Sequence, residues 1–466
     1  MKATRQHIPG WFTMIILLLI PFGVFAQEKE EGLLTLTDCI QTALKNNSQL
    51  KSTEFMYQAA GYDVIDSYQG ILPTISASAG KSKVETGPAE YLGNSFVGLD
   101  ADGNAIYEQV TIKNKKDSRE SSSASLSVNE TLFDGGIWWN QIRKAKADER
   151  AAKYDFENAR NGVILEVQTA YFDLIKQMKL LEVYQIAVRR SEGQLDRANK
   201  MFELGASARV DVFRAKVNLG NDRITELTQQ TIVDQAKKRL NLAMGRDPLT
   251  DLQVDTSIAL ETKLAGVEDL IQQAMSEQPL IKKNEESIHS RAMTVKMAKG
   301  VNYPRFSVFI NHNRFHETTA KVFSDFDKNY QTTFGLNVSL NLFNGFSDYV
   351  NLQKAQINQK VARENLEEYK RNLQSGVSQY YDSYKMYIDI IQINKENLEA
   401  AQEELRLAEE RYQIGAGTSL EVREAQVNLT RAEQALVASE FNKMLLLAQL
   451  DNQIGLTYKK ALGNNE

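Results

Sequence analysis

Few residues of this 466-residue chain combine the types and spacings that chemistry needs. His312 and His316 stand four apart, a metal-ligand spacing if helical. They lie, however, in a stretch of strand-like alternation, where four residues span ~13 Å. They share a metal only if the strand has already ended. Asp100-Ala101-Asp102-Gly103-Asn104 resembles the start of a calcium loop. Its glycine comes two places early, and no glutamate stands at the twelfth position, so the match fails. The single cysteine, Cys39, excludes an intrachain disulfide and falls in an apolar helical pattern, which places it in a core. No nucleophile elbow, P-loop or zinc-type Cys/His spacing is present in the sequence. These readings point away from an enzyme and from any cofactor or metal.

The organising pattern is instead a heptad repeat. Val377, Tyr384, Ile391, Leu398, Leu405 and Tyr412 follow one another at seven-residue intervals, interleaved with Leu373, Tyr380, Tyr387, Asn394, Ala401 and Ala408. Val167, Leu174, Leu181, Val188, Leu195 and Phe202 repeat the pattern 210 residues earlier, beside Val163, Ala170, Gln177, Tyr184, Ser191 and Ala198. A strict seven-residue apolar period makes helices supercoil and pack knobs into holes. Two long homologous coiled-coil helices are therefore expected, about Gly136 to Phe202 and Phe346 to Tyr412. At ~1.5 Å per residue each reaches roughly 100 Å.

Around these helices the chain is doubled. Asp38/Asp269, Ile40/Ile271, Gln41/Gln272, Ala43/Ala274 and Pro73/Pro304 share an offset of 231. In each copy a capped helix, with Thr37-Asp38 as the cap in the first, is broken at Asn46-Asn47-Ser48 or Glu277-Gln278-Pro279. It resumes and stops at the proline. The period then changes to two: Phe306, Val308 and Ile310, then Phe334, Leu336, Val338, Leu340 and Leu342, alternate with small or polar residues. Ile75, Ala77 and Ala79, then Leu126, Val128 and Leu132, do the same in the first copy. Such ~10-residue alternation is the signature of a transmembrane β-barrel, and also fits a half-buried soluble hairpin. The hairpins close with Leu132-Phe133-Asp134-Gly135 and Leu342-Phe343-Asn344-Gly345. Between them the offset falls from 231 to 210, which gives the first hairpin 21 extra residues. They fall between about Lys83 and Ser121, a polar stretch read as a long surface loop. After the long helices come the turns Leu204-Gly205-Ala206-Ser207 and Ile414-Gly415-Ala416-Gly417-Thr418. Return helices begin at Asp211 and Glu421, with Ala425, Ala432 and Ser439 interleaved with Leu429 and Leu436, and end at Gly245 and Gly455.

The division expected is residues 1–26 a signal peptide, 27–247 the first repeat, 248–264 a linker, 265–456 the second repeat and 457–466 a flexible tail. Lys2 and Arg5, the apolar run Trp11 to Phe25 and Val24-Phe25-Ala26 carry the signal-peptide reading. Its removal takes away two positive charges and no acid, moving the net charge from −5 to −7. That mild acidity speaks against nucleic-acid binding. The fold class is mixed membrane α+β: four transmembrane β-strands per chain, continued by a long antiparallel coiled-coil tunnel, with an internal two-fold repeat. Four strands cannot close a barrel, and open edges are not tolerated in lipid, so copies must share one. The rival reading is a secreted coiled-coil scaffold that conducts nothing.

The doubled order of elements resembles the TolC family of outer-membrane efflux proteins over nearly all of the mature sequence. The resemblance rests on Asn47-Ser48-Gln49-Leu50 and Gln278-Pro279-Leu280-Ile281 at the breaks, and on Leu72-Pro73, Tyr303-Pro304 and the two Leu-Phe-Asp/Asn-Gly pairs at the strand ends. Phe202-x-Leu204-Gly205 and Tyr412-x-Ile414-Gly415 mark the tips. Ser48 departs from the proline that this family has at the break. The resemblance implies a homotrimer with a twelve-stranded barrel in outer-membrane lipid and a twelve-helix periplasmic tunnel. It implies that a periplasmic adaptor (membrane fusion) protein docks on Leu204, Gly205, Ala206 and Ser207 and on Ile414, Gly415, Ala416, Gly417 and Thr418. An inner-membrane transporter would then feed a passive efflux or type I secretion conduit. It also implies entrance acids just inside the tips, for which Asp211, Glu421 and Glu424 are the nearest candidates. A carboxylate ring would repel anions and concentrate cations.

Overall fold

The computed structural model describes residues 33–256, 264–324 and 326–463. The signal-peptide reading of residues 1–26 lies outside them, as does part of the 248–264 linker. The first repeat runs α1 (Leu36–Asn46), α2 (Ser48–Asp66), β1 (Thr74–Thr86), β2 (Ala89–Leu99), β3 (Ala105–Asn114), β4 (Asp117–Phe133), α3 (Ile137–Glu203) and α4 (Arg209–Ala243). The second runs α5 (Val267–Glu277), α6 (Pro279–Gly300), β5 (Arg305–His316), α7 (Thr319–Val322), β6 (Tyr330–Ser339), α8 (Ser347–Gln413) and α9 (Ser419–Ile454), followed by α10 (Thr457–Leu462).

Both long helices have 67 residues, and the heptads explain which face they bury. Val167, Leu174 and Val188 of α3, and Val377, Tyr384, Ile391 and Leu405 of α8, are all buried. Burial of each such side chain contributes ~1.5–3 kcal/mol. Each long helix folds back on its return helix, α3 on α4 and α8 on α9, while α6 wedges between α3 and α8 and α9 also packs on α3.

The breaks between short helices hold the ends of the return helices. Asn47 caps α2 by accepting from the Leu50 amide at 3.1 Å, and its Nδ2 donates to the Ala243 carbonyl at the end of α4. Gln278 does the equivalent for α9, its Nε2 donating to the Gln453 carbonyl at 2.9 Å. The glycines that end α4 and α9 are required there. A Cβ on Gly245 would meet Asn46 backbone at 2.8 Å and one on Gly455 the Gln278 Cα at 2.9 Å, and both glycines have positive φ. At the start of α1 the cap differs from expectation. Thr35, not Thr37-Asp38, caps it: Thr35 Oγ1 accepts from the Asp38 amide and Asp38 accepts from the Thr35 amide. The Asp38 carboxylate is thus the reciprocal member of a capping box.

Two further expectations give way to structure. The polar stretch read as a surface loop is mostly strand. β1 and β4 extend to Thr86 and from Asp117, and β2 and β3 pair as a second hairpin beyond them. β2 and β3 are largely exposed, and the alternation of Ile106, Val110 and Ile112 in β3 is short and set among polar residues. The hairpin tip is the calcium-like segment, where the Asp100 carboxylate accepts from the Asp102 and Asn104 amides at 2.9 and 2.8 Å. Its oxygens make a turn. The segment read as a flexible tail carries α10, where Tyr458 lies under the Arg160 guanidinium at 3.5 Å and Lys459 pairs with Glu277.

Candidate functional site

Four of the strands form one antiparallel sheet in the order β1-β4-β5-β6, apart from the β2–β3 hairpin. Register assigns its side chains to two faces, because alternate residues point to opposite sides. Ile75, Val128, Ile310 and Phe334 form one cross-strand row. The next position along each strand gives Ser76, Ser127, Asn311 and Thr333, and two further along, Ser78, Ser125, Asn313 and Gln331. One face is mainly aliphatic and aromatic, giving way to His312 and Arg314 farther from the helices, and the other is mainly hydroxyl and amide, with Phe309 and Phe315 among them. On the apolar face Phe334 is 80% exposed and Leu336 and Val338 are also exposed. A β6 of 10 residues matches the ~9–11 that a tilted strand needs to cross a bilayer. On the polar face a cleft of about 1000 Å³ is lined by Asn129, Thr131, Arg305, Ser307, Asn337 and Ser339 among others. β1 and β6 each pair with one neighbour only, so both sheet edges are open. The two histidines lie within β5, not beyond its end. His312 Nδ1 bonds Thr332 Oγ1 and His316 Nδ1 accepts from the Thr318 amide, so they do not converge. No group of three or more potential ligands among the described residues could hold a metal.

The strand-to-helix corners use the Leu-Phe-Asp/Asn-Gly pairs. The Asp134 carboxylate accepts from the Ile137 and Trp138 amides at 2.8 and 2.9 Å, satisfying the free donors that open α3. Gly135 has a φ of +76°, and a Cβ there would meet the Gly300 carbonyl at 2.1 Å. In the first copy the motif therefore binds strand, long helix and α6 at one point, whereas in the second a Cβ on Gly345 would meet nothing within 4 Å.

At the far end of the long helices, the two tips are built alike. Gly205 and Gly415 adopt φ +71° and +76°. The Ala206 amide donates to the Met201 carbonyl at 2.8 Å and the Ala416 amide to the Arg411 carbonyl at 2.9 Å, which closes a helix end with a left-handed glycine. Leu204 and Ile414 are about 80% exposed there, at 80% and 79%. Asp211 is partly buried. It accepts from Ser419 Oγ at 3.3 Å, so it sits where the two tips meet, and it pairs with Arg214 at 3.2 Å. Burial, with Asp211 adding to it, raises the pKa of the Tyr412 phenol. Glu421 is bonded to Thr418 Oγ1 and lies 3.7 Å from Arg411. Glu424, one turn on, is exposed. The candidate acids thus stand in three different environments.

The family model for outer membrane efflux proteins matches residues 39–246 and again residues 270–456. The chain belongs to the outer membrane efflux protein family. Outer membrane protein TolC of Salmonella enteritidis is 25% identical over 358 residues, covering 73% of this chain and 69% of that protein. The probable efflux pump outer membrane protein TtgC of Pseudomonas putida is 22% identical over 439 residues, covering 92% and 82%. Among solved structures, the CmeC outer membrane channel of Campylobacter jejuni superposes with a TM-score of 0.75 at 18% identity, over 90% of this chain and 85% of that one. This family member is an outer-membrane efflux channel, with its sheet in the barrel and a large periplasmic helical portion. The scaffold reading falls, because a lipid-facing row has no use on a soluble rod.

One set of inter-helix contacts escaped sequence reasoning. Where the two helical hairpins meet, Arg190 holds Glu433 at 2.6 and 3.2 Å. Arg423 grips both oxygens of Asp222 at 2.7 and 2.9 Å, and Asp222 also takes the Ser191 hydroxyl. Arg197 reaches Glu409 at 3.0 Å. Partners separated by some 200 residues leave no local signal.

Proposed function

We propose that three copies join their open sheet edges into a twelve-stranded barrel and work as a passive export conduit. The division into two repeats, 27–247 and 265–456 about a 248–264 linker, gives that ring six similar helical hairpins. The reading is carried by one sheet, mainly aliphatic and aromatic on one face and mainly hydroxyl and amide on the other, with two edges that lipid cannot satisfy. Twelve strands leave room for a polar lumen, since about eight already fill with side chains. The tips, Leu204 to Ser207 and Ile414 to Thr418, dock a periplasmic adaptor through the exposed Leu204 and Ile414, and an inner-membrane transporter supplies the energy. Asp211, Glu421 and Glu424 are the entrance acids. Because Arg214 already pairs with Asp211, Glu424 contributes most to the field at the entrance.

Single-channel recording of purified protein in planar bilayers tests the conduit. Discrete conductance steps are expected, with Glu424→Gln lowering the preference for cations over anions. A detergent-free soluble monomer, or assembled trimers that never conduct, would overturn it.

A further inference from the structure

The internal repeat creates two kinds of seam in any closed ring of copies. Within one chain, α3 of the first repeat packs against α9 of the second. At the offset of 210, α8 matches α3 and α4 matches α9. The second seam therefore sets α8 of one copy against α4 of the next. Among the described residues, α4 packs chiefly on α3 and meets α9 through Asp222 and Asp211, leaving the face that carries Val210, Phe213, Val217 and Ile224 largely exposed.

That face carries a heptad of its own. Val210, Val217 and Ile224 are seven apart, with Phe213 between them, and all four are more than half exposed, from 54% for Phe213 to 64% for Ile224. On α8, Ile393, Ala400 and Leu407 are likewise seven apart and exposed. Three of these residues, Phe213, Ala400 and Leu407, occupy positions that hold ion pairs within the chain. Moving the within-chain seam by 210 residues turns Arg423 into Phe213, Asp222 into Ala432 and Ser191 into Ala401. Arg190 becomes Ala400 and Arg197 becomes Leu407. Glu433 becomes Arg223, which already pairs with Glu192 at 2.7 Å in its own chain. A charged cluster in one seam is thus an aromatic over small residues in the other.

We infer that copies of this chain recognise each other along an apolar α4–α8 seam, with Phe213 of one copy over Ala401 and Ala432 of the next. The two hairpins inside one chain are instead joined by partly buried ion pairs. This rests on the shared-barrel reading. The physical logic separates two tasks. Association between chains needs apolar area to release from water. Ion pairs desolvate at a cost and stabilise only in fixed geometry, which a single folded chain supplies.

The test is thiol crosslinking of full-length protein purified in detergent, with a short bis-maleimide. Cys39 does not compete, since it is fully buried and burial pushes its thiol up to about 12. Ala400→Cys combined with Arg223→Cys should give covalent dimers and trimers, and neither single variant should. Arg190→Cys with Glu433→Cys, the matching pair within the chain, should link without changing the mass. Phe213→Arg, added to the first pair, should lower the covalent yield on the order of tenfold by placing an unpaired charge in the seam. Adding Ala432→Asp should restore most of it. Native mass spectrometry separates the failures. Trimers that do not link at 400 and 223, or a Phe213→Arg yield left undiminished, would overturn the seam while the shared barrel stands. Monomers throughout would overturn both.

Discussion

The two tips share a backbone and differ in what secures it. Tip 2 is tied: Thr418 Oγ1 caps α9 by accepting from the Glu421 amide at 3.2 Å, and Arg411 reaches across the turn to the Ala416 carbonyl at 3.1 Å. At tip 1 the corresponding residues are Ala208, which offers no side-chain cap, and Met201. A left-handed glycine is enough to reverse a helix, as Gly205 and Gly415 both do. The side-chain ties set only how firmly that reversal is held. Repeat 1 therefore carries the looser tip and repeat 2 the stiffer one.

The comparison breaks most sharply at the shared feature. Gly205→Pro and Gly415→Pro should each destabilise their own tip by ~3 kcal/mol or more, because proline fixes φ near −65° and removes a bonded N–H. Export in cells should fall for both while heat-resistant barrels persist; unchanged export from Gly415→Pro would count against docking at the tip. A smaller effect separates the tips. Thr418→Ala should loosen tip 2 by ~1 kcal/mol, whereas Ala208→Ser should tighten tip 1 by a similar amount, both read from amide exchange at the first turns of α9 and α4. If Thr418→Ala leaves exchange at Glu421 unaltered, the cap contributes nothing to the difference. The smallest change expected is Arg411→Ala, a few tenths of a kcal/mol, since its pair with Glu421 is solvent-exposed. Exchange at Ala416 would then approach that at Ala206.

Much of this architecture was legible because it is written locally. The heptads from Val167 to Leu195 and from Val377 to Tyr412 marked the covered faces, though Phe202 at the end of the first is exposed, and Pro73 and Pro304 marked the change from helix to strand. The glycine pairs marked the turns. Other parts were hidden for stated reasons. β2 and β3 are largely exposed, and the short alternation of Val110 and Ile112 in β3 is set in a stretch rich in Gly, Lys and Ser that reads as a loop. α10 is six residues long and depends on Arg160 and Glu277 to hold it. Asp211 looked like one of three equal acids until Arg214 and Ser419 were seen beside it.

By itself, the sequence determined the doubled order of elements, the two long helices and the faces they bury, since period and offset are properties of the chain alone. Only the tertiary structure decided which charges meet. Arg190 with Glu433 and Arg423 with Asp222 are pairs made by packing α3, α4 and α9 together, and no spacing along the chain encodes that approach. The same packing left Val210, Phe213, Val217 and Ile224 uncovered, because a single copy has nothing to place against them.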